Sequence, residues 1–180
     1  MQKKSFRADD FILQTIEQYS PMVYRLAYSL VKSKYDAEDI HQEVFVRYIT
    51  KKPDFESVEH EKAWFIRVTT NLCKNWWKTA WKRKVISLTE FEEDYGEFGD
   101  TEDSVVVPGC NHQPCITEES EIVKIVKTLP QKYRVVIHLF YYEELSVEEI
   151  AVALNRKPST VRTQLTRARR KLGELLKEDI

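Results

Sequence analysis

Glycine and methionine are scarce in these 180 residues, four and two respectively, and only six prolines and three cysteines interrupt the rest. So little glycine and proline excludes a collagen-like or low-complexity chain and leaves a folded globular protein as the expectation. Three cysteines, an odd number, argue against a disulfide scaffold and suit a reducing compartment. No apolar run approaches the ~20 residues that cross a bilayer. The opening MQKKSFRADDF lacks the hydrophobic core of a signal peptide, so a cytoplasmic protein without membrane insertion is expected. Net charge is nearly missing too, 28 bases against 29 acids, but the balance is uneven along the chain. Residues 1–90 carry 16 bases and 12 acids, residues 91–121 none and 10, and residues 122–180 carry 12 and 7. Two basic stretches divided by an acidic strip fit a polyanionic partner held at both ends.

What is present is most legible between Leu145 and Leu172. Ser146 followed three residues later by Glu149 spells a capping box, so a helix is predicted from Val147, with Val147, Ile150, Ala151 and Leu154 inward. Asn155 accepts a left-handed backbone cheaply and should reverse the chain, and Pro158 suits the first position of the next helix. There Val161, Leu165, Ala168 and Leu172 form the inward stripe. Seven bases run from Arg156 to Lys171 with no acid between Glu149 and Glu174, which predicts a helix-turn-helix whose one-signed outer face grips duplex DNA. Its candidate contacts are Arg156, Lys157, Ser159, Thr160, Arg162, Thr163, Gln164, Arg167 and Arg170.

Upstream, apolar positions from Phe11 to Leu30 recur at helical intervals, with Pro21 a candidate kink or break. A second helix should start on Asp36 as its N-cap, bury Ala37, Ile40, Val44 and Tyr48, and stop before Pro53. Asp39, Gln42, Glu43 and Val46 share its other face, a mixture of acid, amide and small apolar groups suited to a protein partner. A third helix is predicted from Lys62 to about Lys84 with Phe65, Val68, Leu72 and Trp76 as its core stripe. Arg67, Thr70, Lys74, Trp77, Lys78 and Trp81 line up away from that stripe, and aromatics interleaved with cations are what unpaired nucleic acid requires: phosphates meet the cations and bases stack on the rings.

Residues 86–118 lack helical periodicity and read as a linker. Within it Cys110, His112 and Cys115 are three zinc-ligand types at unusual spacing, which would need a fourth ligand such as Cys73; the alternative is that they are ordinary linker residues. Helices then resume from Glu118 to Leu129 and from Lys132 to Tyr142, broken by Leu129-Pro130. The predicted fold is all-α: two small helical domains, 1–85 and 119–180, joined by an acidic flexible linker over 86–118. No catalytic constellation and no cofactor motif emerges. Two readings to weigh are a helix-turn-helix repressor or activator that binds duplex DNA by itself, and a cysteine- or metal-dependent enzyme or sensor built on Cys110, His112 and Cys115.

Four blocks in order, DAEDIHQEVF at Asp36–Phe45, AWFIRVTTNLCKNWW at Ala63–Trp77, LPQKYRVVIHLFYYEELSVEEIA at Leu129–Ala151 and STVRTQLTRARRKL at Ser159–Leu172, carry a resemblance over nearly the whole chain. The chain resembles bacterial RNA polymerase sigma factors of the extracytoplasmic-function group, which keep only regions two and four of the sigma-seventy family. The resemblance implies that Asp39, Gln42 and Glu43 contact the clamp coiled coil of core RNA polymerase. It implies that Lys52–Glu61 pockets a base flipped from the minus-ten strand, and that Asn71, Lys74, Asn75, Trp76, Trp77 and Lys78 melt and read that element. The helix-turn-helix would read a minus-thirty-five element in duplex form, and an anti-sigma factor would cover both modules. Asn155 and Lys157 stand where the family often has Gly and Ser, and the CNHQPC segment is no part of the family pattern.

Overall fold

The computed structural model describes residues 3–87 and 121–178, with side chains described from Asp10 to Thr79 and from Lys124 to Leu176. Seven helices and no strand are found among the described residues: α1 (Lys3–Val31), α2 (Lys34–Lys51), α3 (Val58–Ser87), α4 (Glu121–Thr128), α5 (Gln131–Tyr141), α6 (Val147–Leu154) and α7 (Pro158–Glu178). The all-α expectation holds. Helices α1 to α3 form one group and α4 to α7 a second, and the two also touch each other, α1 against α5 and α3 against α6.

Helix α1 runs through Pro21 as one 29-residue element, so the proline neither stops nor divides it. Its buried edge is Thr15, Tyr19, Met22, Val23, Leu26, Ala27 and Leu30, whereas Phe11, which the spacing placed inward, is 60% exposed. The α2 cap also differs from expectation. Ser33, in extended backbone, accepts from the Asp36 amide at 3.4 Å and is the N-cap, and Asp36 lies in the first turn. The Asp36 carboxylate is thereby left to bond across the bundle, where its Oδ1 accepts from Trp76 Nε1 of α3 at 2.8 Å. Ala37, Ile40, Val44 and Tyr48 are buried as the periodicity predicted, with Phe45 added.

Helix α3 begins at Val58, four residues before its expected start, because Ser57 accepts from the His60 amide at 3.2 Å and Glu59 and Glu61 sit at the favourable end of the helix dipole. Its deepest residues are Phe65, Ile66, Thr69, Thr70 and Cys73, while Val68, Leu72 and Trp76 are only half-buried. The buried sector is wider than a single stripe because α3 is covered on one side by α1 and α2 and on another by α6. Rings from three helices meet there: Tyr19 stacks on Phe65 at 4.6 Å, and Phe65 also lies 5.5 Å from Phe45 and 5.3 Å from Tyr48.

In the second group the capping box forms as read: Ser146 accepts from the Glu149 amide and Glu149 Oε2 accepts from the Ser146 amide at 2.8 Å. Asn155 takes φ 52 and ψ 54, the left-handed turn expected of it. Val161, Leu165 and Ala168 of α7 are buried against α5 and α6, with Leu172 half-buried. Tyr142, at the end of the predicted helix, is 48% exposed and stacks on His138 at 5.2 Å. The turn at Asn155 yields a direct expectation. Asn155→Gly should leave the thermal midpoint within about 2 °C of the parent, and Asn155→Val should lower stability by roughly 1–2 kcal/mol, as a β-branched side chain is forced into left-handed backbone; differential scanning fluorimetry checks both.

Candidate functional site

Three surfaces follow from this framework. The first is the outer side of α2. Asp39, Gln42 and Val46 are exposed, Val46 at 55%, while Glu43 is half-buried and accepts from Arg47 Nε at 2.7 Å. All four predicted residues therefore lie on one accessible face. Sequence reading missed Ile49, 42% exposed, although its place three residues beyond Val46 was the signal for it.

The second surface is the C-terminal half of α3. Asn71, Lys74, Asn75 and Lys78 are exposed, and Trp77 is 37% exposed with its Nε1 donating to the Leu30 carbonyl at 3.0 Å. That bond pins the indole at the end of α1 while the ring stays partly exposed. Trp76 lies nearly perpendicular to Trp77 at 5.1 Å and is tied to Asp36, so it braces that ring from within. The Trp81 side chain lies outside the described residues, as do Cys110, His112 and Cys115. Cys73, the suggested fourth metal ligand, is wholly buried in the α3 core, where desolvation pushes its thiol up to about 12. Among the described residues no three His, Cys, Asp or Glu side chains are placed to hold a metal.

The stripe that the spacing assigned to nucleic acid is divided in two. Arg67 turns away from the row and donates to the Val152 and Ala153 carbonyls of α6 at 2.7 and 3.3 Å, and Thr70 is buried.

The third surface is α7. Lys157, Ser159, Thr160, Arg162, Thr163, Arg167 and Arg170 are exposed, while Arg156 and Gln164 are half-buried and bonded to each other at 2.7 Å. Counter-charges reach the basic run from its two ends, one on the preceding helix and one a turn further along α7. Glu148 of α6 accepts from Arg162 at 2.6 Å and Glu174 lies 3.5 Å from Arg170. Ser159 and Thr163 are one helical turn apart, with the Thr163 hydroxyl on the Ser159 carbonyl at 2.9 Å. Arg169 is drawn away to the Tyr141 hydroxyl at 2.9 Å and lies over the Phe140 ring.

These observations describe a helix-turn-helix whose last helix has its apolar side buried and its polar side outward, and a separate aromatic and cationic row on α3. The Sigma-70 region 2 family profile matches residues 15–83 and the Sigma-70 region 4 profile matches residues 119–172. The ECF RNA polymerase sigma factor SigE of Mycolicibacterium smegmatis is 30% identical over 91% of this chain, which spans 60% of SigE. The ECF RNA polymerase sigma factor SigM of Bacillus subtilis is 30% identical over 88% of this chain and 91% of its own length. The chain is an extracytoplasmic-function sigma factor. The fold agrees with that of the sigma factor RpoE from Bartonella quintana, solved in complex with the anti-sigma factor NepR, at a TM-score of 0.63 and 22% identity over 95% of this chain and 99% of that one. The sigma factor therefore belongs to a family of promoter-specific transcription initiation factors in which catalysis is left to another protein, and no helix among its described residues is long and apolar enough to cross a membrane.

Electrostatics sharpen the second surface. Burial, then the charges of Arg156 and Lys78, hold Lys74 below the ordinary lysine range. The charged form is the penalised one, so the cost to folding is present at neutral pH and fades only as pH rises through the lowered value towards the unfolded one. Lys74→Met should therefore raise the thermal midpoint slightly at pH 7, and the gain should fade as the pH rises into the lysine range. A lower midpoint at pH 7 would contradict it.

Proposed function

We propose that this sigma factor is not itself an enzyme, that it works in the cytoplasm, and that it divides promoter recognition between residues 1–85 and residues 119–180, joined through 86–118. The α2 face of Asp39, Gln42, Glu43 and Val46 binds core RNA polymerase. Asn71, Lys74, Asn75, Trp77, Lys78 and Trp81, backed by Trp76, hold the melted minus-ten strand. Arg156, Lys157, Ser159, Thr160, Arg162, Thr163, Gln164, Arg167 and Arg170 address the minus-thirty-five element in the major groove. One observation carries this reading: the same chain presents an outward recognition helix and, on a different helix, a pinned and partly exposed tryptophan among cations. A repressor that reads duplex alone has no use for the second.

The physical division of labour follows from residue chemistry. Arg162 and Gln164 can discriminate base edges through paired hydrogen bonds, at roughly 1–3 kcal/mol per good contact. Lys157 and Arg167 add salt-dependent grip on phosphates. On α3, stacking lost when the duplex opens is partly recovered against Trp77, and Phe55 and Trp64, 5.9 Å apart edge to face, brace the short loop before α3 in which a flipped base would lodge. Because the fold is shared with sigma factors solved in complex with an anti-sigma factor, we assign an anti-sigma partner to this chain as well.

Run-off transcription from a random promoter library with purified core polymerase tests the whole, since a chain that directs no defined start overturns it. Two substitutions resolve its parts. Asp39→Arg combined with Glu43→Arg should weaken core-polymerase binding at least about tenfold by reversing charge on an exposed face. Trp77→Ala should lower open-complex formation by about 5- to 100-fold, the equivalent of roughly 1–3 kcal/mol of base stacking, and Trp77→Tyr should restore most of it.

A further inference from the structure

The cations on the outer side of α7 are not equivalent. Among the described residues Lys157 and Arg167 have no acid paired with them, and Arg170 meets Glu174 of its own helix at 3.5 Å. Arg162 is met by an acid from another helix: its Nη2 donates to Glu148 Oε1 of α6 at 2.6 Å, across 14 residues of chain. Neither partner belongs to the core, for the Arg162 and Glu148 side chains are 61% and 63% exposed. An ion pair so exposed adds little to folding. Nor does α6 need Glu148 to begin, since its cap is made by Ser146 with Glu149. A carboxylate beside a DNA-facing surface also repels phosphate. The residue thus weakens general binding without repaying the loss in stability, and selectivity is the gain that is left.

Arg162 stands near the start of α7, the part of a recognition helix that meets base edges. Its long side chain must be frozen before the planar fork can meet two acceptors on one base, and that ordering subtracts from binding. The bond to Glu148 holds one nitrogen of the guanidinium, so the plane of the group is set while the protein is still free of DNA. Nη1 is left for the groove. The carboxylate also cancels the charge with which Arg162 would otherwise take up any nearby phosphate, a contact that carries no sequence information.

We propose that Glu148 is a positioning residue for minus-thirty-five recognition: its carboxylate touches no base, sets the Arg162 guanidinium for one base pair, and withholds that cation from the phosphates. This rests on the assignment of Arg162 to the minus-thirty-five element above. A base edge with two acceptors meets an arginine already in place, whereas a mismatched edge must either break the pair with Glu148 or leave N–H groups unbonded.

The experiment uses the full chain reconstituted with core polymerase. It reads open-complex formation on promoters randomised in the minus-thirty-five element, and binding to promoterless duplex over a range of salt. Glu148→Ala should lower discrimination at one base pair by about three- to tenfold, tighten promoterless binding by about two- to fivefold, and steepen its logarithmic salt dependence by roughly one. Arg162→Gln should relax the same base pair, and Glu148→Ala added to it should relax that pair no further. Glu148→Gln removes the charge but keeps an acceptor for the guanidinium, so it should share the steeper salt dependence and recover most of the discrimination. A residue that only propped α6 would move the thermal midpoint, which should stay within about 2 °C of the parent in both Glu148 variants. Relaxation of a different base pair by Glu148→Ala means that the carboxylate reads a base itself, and it overturns the positioning role. Unchanged discrimination overturns it too, as does a Glu148→Gln protein no more selective than Glu148→Ala. An Arg162→Gln protein as selective as the parent overturns the assignment of Arg162 and the role of Glu148 together; when Glu148 alone is misassigned, Arg162→Gln still relaxes its base pair.

Discussion

A guanidinium taken out of water needs an acceptor for its N–H groups and a negative field to replace the hydration it has lost. Among the described residues no carboxylate serves Arg134; the ends of α1 and α4 do, through backbone carbonyls that those helices cannot satisfy internally. The partial negative charge of two helix dipoles converges on one side chain, and burial still pushes its pKa down to about 10, which leaves it charged at neutral pH. Much else follows from that placement. The end of α1 is fixed against α5, the Leu30 carbonyl is shared between Arg134 and Trp77, and the indole proposed to stack on bases is registered to the same point that joins the helix groups. Lys32, one residue past the helix, is held below its ordinary range by burial first and then by Arg134 and Lys127, a measure of how much positive charge this junction gathers.

The helix-turn-helix was readable almost residue by residue, since its determinants are local. A capping box, a left-handed asparagine and a proline at a helix start act within three or four positions of themselves, and the structure repeats them at Ser146, Asn155 and Pro158. The α2 start was misread for a related reason. Ser33 and Asp36 are both good cap residues, and the choice between them was made forty residues away, by the indole of Trp76 taking the carboxylate. The wide buried sector of α3 was likewise beyond periodicity: a single stripe describes a helix with one neighbour, and α3 has several.

The sites divide along the same line. Exposure of Asp39, Gln42 and Val46, and of the outer α7 residues, came straight from helical spacing. Arg67 did not, because it has the right phase for the cationic row and departs from it only when α6 offers two carbonyls. The pairing of Arg162 with Glu148 was hidden in the same way, since a run of bases without acids says nothing about what the preceding helix brings near. Arg134 carried a weak signal, a cation between Tyr133 and the apolar run Val135–Ile137, of the kind that marks a buried and bonded charge.

Four residues with side chains, Lys32, Lys52, Glu144 and Asn155, occupy left-handed backbone at helix exits in a protein that places no glycine at any of these bends. A glycine would take these angles at no cost, whereas Lys32, Lys52 and Glu144 stand in backbone that side chains disfavour. Each such bend survives only because the packed helices on either side hold it. A core substitution that loosens either neighbour should therefore release the bend as well.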